Sequence, residues 1–107
     1  MQARTDDDRV SFVKGLFQET LNLRLSDLAT GHPLIVHLDA DIYSATLYVL
    51  ATLNQLLVPG SIVLFDEFSS VQHEFRALGD YTASFMREYE VIGWTDHYYQ
   101  IAIRITE

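Results

Sequence analysis

Two short apolar runs set the frame of this chain. Leu34-Ile35-Val36-His37-Leu38 ends on Asp39-Ala40-Asp41, and Ser61-Ile62-Val63-Leu64-Phe65 ends on Asp66-Glu67. Each has the length of a strand and no alternation, the pattern of a parallel strand covered on both faces. Between them Ile42, Ala45, Val49, Leu53, Leu56 and Leu57 recur at helical spacing, which predicts a helix over residues 43–57. Asp41 stands at its start as an N-cap, and Pro59-Gly60 stops it. Two strands joined by one helix run parallel, so their C-terminal ends share one rim of the sheet. Asp39, Asp41, Asp66 and Glu67 are therefore expected at that rim, which is where open α/β sheets bind ligands.

The flanks follow from weaker patterns. Val10-Ser11-Phe12-Val13 alternates as a short strand, broken by Gly15-Leu16-Phe17. Residues 19–28 predict a short helix with Leu21, Leu25 and Leu28 on one side. Thr30-Gly31-His32-Pro33 is a turn. Ser69, with Gln72 three residues on, caps a third helix. Phe75, Leu78, Thr82 and Phe85 mark its inner face as far as Met86. Val91-Ile92-Gly93-Trp94 and residues 99–105 read as strands, the second alternating Tyr99, Ile101, Ile103 and Ile105 with Gln100, Ala102 and Arg104. The connection over 95–98 is too short for a parallel crossover, so these two form an antiparallel hairpin. His37 is expected as a satisfied core histidine and His32 as turn surface. His73 and His97 lie near turns that face the rim or solvent. Trp94, Tyr98 and Tyr99 are expected to pack rather than to form a binding platform.

Composition narrows the function classes. A chain of 107 residues with 49% hydrophobic content fits one small domain. The net charge of −8 excludes the basic surface that nucleic acids or acidic membranes require. Without cysteine there is no disulfide framework and no thiolate metal site, which fits a cytoplasmic protein. The apolar runs are far shorter than a membrane span. Residues 1–9 are polar and acidic, a flexible start rather than a signal peptide. No Gly-rich loop supports a phosphate- or nucleotide-binding module.

The segment His37-Leu38-Asp39-Ala40-Asp41-Ile42-Tyr43-Ser44-Ala45-Thr46, followed by Pro59-Gly60 and Asp66-Glu67-Phe68, resembles the C-terminal half of class I S-adenosylmethionine-dependent methyltransferases. The closest pattern is the macrocin O-methyltransferase type. His73-Glu74-Phe75-Arg76-Ala77-Leu78 and Tyr98-Tyr99-Gln100-Ile101-Ala102 also look like this group. So does Arg9-Val10-Ser11-Phe12-Val13-Lys14-Gly15-Leu16-Phe17 with Thr20-Leu21, so the likeness runs over about residues 9–105.

The resemblance implies an α/β, Rossmann-like methyltransferase half-domain over residues 1–107, truncated, with parallel strands and a C-terminal antiparallel hairpin. It implies methyl transfer from S-adenosylmethionine to a hydroxyl on a small-molecule acceptor. By the same resemblance Asp39, Asp66 and Glu67 would hold Mg²⁺ against the acceptor oxygens, and Asp39 or Asp41 would be the catalytic base. The bland alternative is that these acids favour the positive ends of the following helices. Family members also carry a Gly-rich turn after their first strand and a ribose-binding acid after the second. This chain has no Gly-x-Gly motif, so its cofactor-binding residues stay unassigned and one wall of the crevice is missing. The rival reading is a non-catalytic methyltransferase remnant acting as an assembly module. In both readings the 34–38 strand leaves an open edge, which predicts a homodimer.

Overall fold

A computed structural model of the protein describes residues 6–28, 31–40, 42–68 and 73–107. The elements run α1 (Phe17–Arg24), β1 (Ile35–Leu38), α2 (Tyr43–Leu53), β2 (Ile62–Phe65), α3 (Glu74–Ser84), β3 (Tyr89–Trp94) and β4 (Ile101–Ile105). Short 3-10 turns extend α1 to Asp27 and α2 to Leu56. The strands form one mixed sheet in the order β1-β2-β4-β3. β1 and β2 are parallel, with Leu38 opposite Phe65, and β4 runs antiparallel to both β2 and β3. The expected parallel pair and the expected hairpin are both present. No helix among the described residues is long and apolar enough to cross a membrane.

The start of the parallel pair is pinned from inside. Ser61 is fully buried, and its hydroxyl accepts the N–H of Leu34 at 3.0 Å. Gly60 adopts φ +98 and donates its N–H to the carbonyl of Ile105 at 2.8 Å, so the turn that stops α2 is also stitched to β4. A side chain at Gly60 would meet the Pro33 ring at 3.3 Å, and the positive φ itself favours glycine.

The register sorts the side chains of the sheet onto two faces. Val36, Leu38, Val63, Phe65, Ile101, Ile103 and Ile105 face α2 and α3 and build the core with Val49, Leu50, Leu53, Leu57, Leu78 and Tyr81. The opposite face carries Ile35, His37, Ile62, Leu64, Ala102 and Arg104, and none of them is buried.

Several expectations need correction. Residues 10–13 form no strand and lie exposed; alternation alone does not make a strand where no neighbouring strand takes up its hydrogen bonds. β1 is not covered on both faces: among the described residues it ends the sheet and one face has no helix over it. His37 is accordingly no core histidine: its side chain is 62% exposed. On α3 the inner face is Glu74, Ala77, Leu78 and Tyr81, whereas Phe75 and Phe85 are exposed and Met86 is 87% exposed. The apolar stripe expected there was rotated by about one residue. Trp94, Tyr98 and Tyr99 are exposed rather than packed, and Tyr99 precedes β4 instead of opening it. The expected capping residues Asp41, Ser69 and Gln72 lie outside the described residues.

Candidate functional site

Leu38 and Phe65 are the last paired residues of the parallel strands, so Asp39 and Asp66 leave the sheet side by side. The ladder continues one step: the N–H of Asp66 donates to the carbonyl of Leu38 at 3.0 Å. The acidic rim read from the sequence is present for Asp39, Asp66 and Glu67. Asp41 lies outside the described residues.

Consecutive residues leaving a strand point to opposite sides, and this splits the rim. Asp66 falls on the open-face side. Its Oδ1 accepts from Gln100 Nε2 at 2.8 Å and lies 3.7 Å from His37 Nε2. A shallow pocket of about 290 Å³ follows on that side, lined by His37, Leu64, Trp94, Thr95, Gln100 and Ala102 among others. Glu67 falls on the helical side. Its backbone N–H donates to Glu74 Oε1 at 2.8 Å, and its own Oε1 accepts from the Tyr99 hydroxyl at 3.4 Å. The next residue, Phe68, donates its N–H to the carbonyl of Tyr99 at 2.8 Å, which fixes the end of β2 against the β3–β4 turn.

Glu74 is the residue the sequence reading missed. It is fully buried, and its Oε2 has no hydrogen-bond partner among the described residues. Burial pushes its carboxyl above the ordinary glutamate range. The N–H of Glu67 offsets part of this, and the charges of Glu67, Asp66 and Asp39 add to it. The same charges, led by Glu67, raise the Tyr99 phenol. Glu74, Ala77, Leu78 and Tyr81 stand at i, i+3, i+4 and i+7, so the helical period was the signal, hidden by a charged residue in an apolar row. His73 has a positional role: its Nδ1 accepts the N–H of Tyr43 at 3.2 Å, meeting one of the orphan donors at the start of α2.

The carboxylates share a field but do not form a coordination shell. Among the described residues no group of three His, Asp or Glu side chains is gathered closely enough to hold a metal ion. The Mg²⁺ expected at Asp39, Asp66 and Glu67 finds no such gathered group among the described residues.

Donor binding meets a similar test. The nucleoside and methionine parts of S-adenosylmethionine need a Gly turn that lets the backbone approach and an acid for the ribose hydroxyls. The glycines are at 15, 31, 60, 79 and 93, and none follows β1 or β2 into a helix. The described residues do not form that cradle. What the rim offers is a set of hydrogen-bond and proton acceptors at the joint end of two strands.

Comparison with known proteins places these features in a family. The sequence model of the Macrocin-O-methyltransferase (TylF) family matches residues 3–100. The chain is also similar to the 8-demethyl-8-(2,3-dimethoxy-alpha-L-rhamnosyl)-tetracenomycin-C 4'-O-methyltransferase of Streptomyces olivaceus. The two are 35% identical over 63 residues, covering 59% of this chain and 23% of that protein.

Proposed function

Since the chain belongs to the Macrocin-O-methyltransferase family, we propose that it supplies the acceptor side of an O-methyl transfer to a hydroxyl of a small molecule. S-adenosylmethionine is the methyl donor this membership calls for. Its cradle is not formed by the residues described. The single observation carrying the proposal is the rim: β1 and β2 end in parallel and present Asp39 beside Asp66. A hydroxyl becomes a nucleophile only if a positioned base takes its proton. Asp39 is the candidate base, and Asp41, two residues on, shares that role by sequence. Asp66, held by Gln100 and facing His37, is placed to orient the hydroxyl by accepting its hydrogen bond. By analogy with the Streptomyces protein, named as a 4'-O-methyltransferase of a rhamnosyl-tetracenomycin, the acceptor is a hydroxyl on a glycosylated small molecule. The fold is read as the Rossmann-like half-domain of this class, completed at β1 by a further strand.

The test is a chimera. The segment of the Streptomyces protein that matches this chain is replaced by the sequence of this chain, and transfer of labelled methyl to that protein's acceptor is measured. Transfer is expected to persist and to fall by about two to four orders of magnitude in Asp39→Asn, the span typical of a lost general base. A folded chimera in which Asp39→Asn changes nothing removes Asp39 from the reaction. A folded, donor-binding chimera without transfer removes the proposal.

The rival reading, an assembly module, rests on a different observation: β1 ends the sheet and has no partner on its outer side among the described residues. That reading is of a non-catalytic remnant, and the chimera separates it from the first.

A further inference from the structure

The helical side of the rim opens into a cleft of about 420 Å³ between the start of α3 and the β3–β4 hairpin. Phe68 and Phe75 form one wall, in edge-to-face contact at 5.3 Å, and Tyr89, Val91 and Tyr98 form the other. We propose that this cleft holds a neutral aromatic ring system of the acceptor and extends the attached hydroxyl-bearing group past Glu67 to Asp39 at the rim. This rests on the methyl-transfer reading for what happens to the hydroxyl, and on the cleft alone for the ring.

Three independent features point to an aromatic small molecule. First, the lining is aromatic yet uncovered: Phe75 is 53% and Tyr98 57% exposed. Flat rings stack on such walls in offset or edge-on geometry, and the volume suits a two- or three-ring ligand. Second, the chain spends backbone strain here. His97 and Tyr98 are consecutive non-glycine residues at φ +59 and +55, and they bring an imidazole and a phenol ring to the cleft. Positions held in this region against their preference cluster where a side chain must be aimed. Third, the cleft is joined to the rim by covalent sequence and by a hydrogen bond. Phe68 follows Glu67 directly, and its N–H is held by the Tyr99 carbonyl at 2.8 Å. A ring lying on Phe68 therefore places its substituent beside the Glu67 carboxylate and the Tyr99 hydroxyl. The field of Asp39, Asp66, Glu67 and Glu74 disfavours an anionic ligand and favours a neutral one rich in O–H donors. A second copy of the chain is the lesser candidate here. β3, whose Tyr89 and Val91 line the cleft, ends the sheet as β1 does, but a concave aromatic cleft of this size suits a small ring system better than a strand, and light scattering separates the two.

The probe is 4-methylumbelliferyl α-L-rhamnoside, a neutral two-ring aryl glycoside, added to the 107-residue chain without any methyl donor and followed by fluorescence anisotropy. Saturable binding is expected. Phe75→Ala and Tyr98→Gly should each weaken it by about tenfold, the loss of one well-placed ring contact. Both side chains are exposed, so both variants should keep the wild-type circular dichroism. Ile35→Ser, on the open sheet face, should leave binding unchanged. Binding that survives both cleft variants, binding lost equally in Ile35→Ser, or no saturable binding at all overturns the proposal. So does light scattering that shows a dimer broken by Phe75→Ala, because the cleft then belongs to a second copy. The two readings fail separately. An inactive chimera with intact, cleft-dependent probe binding supports the ring site and sinks methyl transfer. An active chimera whose KM for its acceptor ignores Phe75→Ala sinks the ring site.

Discussion

Glu74 accepts the backbone N–H of Glu67 at 2.8 Å while its second carboxylate oxygen stays buried without a partner among the described residues. One acid thus holds the main chain of another at the end of β2. The arrangement is costly while Glu74 is charged, since a buried acceptor left unmade costs about 1–3 kcal/mol and more when ionised. It is retained where it fixes the rim.

The protonation of Glu74 should therefore be visible in stability. Its native carboxyl titrates above the ordinary range. The folded state then binds a proton that the unfolded chain has already released, so stability falls as pH rises from about 4 through the native value and levels off above it. Glu74→Gln keeps an oxygen for the Glu67 N–H and removes the titration. We expect Glu74→Gln to melt higher than wild type at pH 8, by about 4–8 °C for each ~1 kcal/mol recovered, and the gap to close towards pH 4. Calorimetric melts across that range check it. A gap that widens on acidification contradicts the assignment.

Arg87 joins three elements. Its guanidinium donates to the carbonyls of Asn54, Leu57 and Glu107 and to the Asn54 side chain, which also accepts from the buried Tyr81 hydroxyl at 2.7 Å. A lysine ammonium cannot span this fork. Arg87→Lys should cost about 2 kcal/mol in urea unfolding, and Tyr81→Phe about 1 kcal/mol. The double variant should lose less than the sum, because both act through Asn54. Strict additivity would show that Arg87 and Tyr81 stabilise independently.

The β1 edge should govern association. The carbonyls of Leu34 and Leu38 point at β2, so in a parallel ladder the main-chain groups of Ile35 and His37 point outward. Such an edge pairs with another chain unless blocked. Light scattering is expected to give a mass above 12.3 kDa at micromolar concentration. Ile35→Pro removes the outward donor where edge strands tolerate proline and should return the monomer. A wild-type monomer at 12.3 kDa ends the assembly reading.

At Gly60 the backbone itself sets the limit. With φ +98 and Pro33 3.3 Å from a built side chain, Gly60→Ala should lower stability by about 1 kcal/mol or more. Thermal melts of this variant against Gly79→Ala give the contrast, because Gly79 lies in α3 with open space around it and alanine there should stabilise.

The parallel pair, the crossover helix and the hairpin were legible because each is written in local period and in connection length. The rim followed from topology alone. What failed depended on neighbours. His37 sits in an apolar run that reads as buried, yet burial needs a second layer, and no helix among the described residues covers that face of β1. Residues 10–13 alternate correctly and have nothing to pair with. On α3 the ranking of residue types misled the reading: Phe75 outranks Glu74 in hydrophobicity, but Glu74 has the Glu67 N–H to satisfy and so takes the inner position. Topology located Asp66 and Glu67 at one rim, but only their partners show them divided, Asp66 with Gln100 and His37, Glu67 with Glu74 and Tyr99.

The fork of Arg87 has one further consequence, for which mutations can reach it. Three of its acceptors are main-chain carbonyls, at Asn54, Leu57 and Glu107. Every residue type carries a carbonyl, so substitutions at Leu57 and Glu107 leave those two bonds available whatever side chain arrives. The donor side has no such freedom, because only arginine presents several N–H groups in one plane. The buckle between α2, α3 and the end of β4 is thus exposed to genetic change at Arg87 and at Asn54, whose side-chain oxygen also takes the Tyr81 hydroxyl. A sequence comparison would register dependence at Arg87 that follows Asn54 and is indifferent to the residue type at 107.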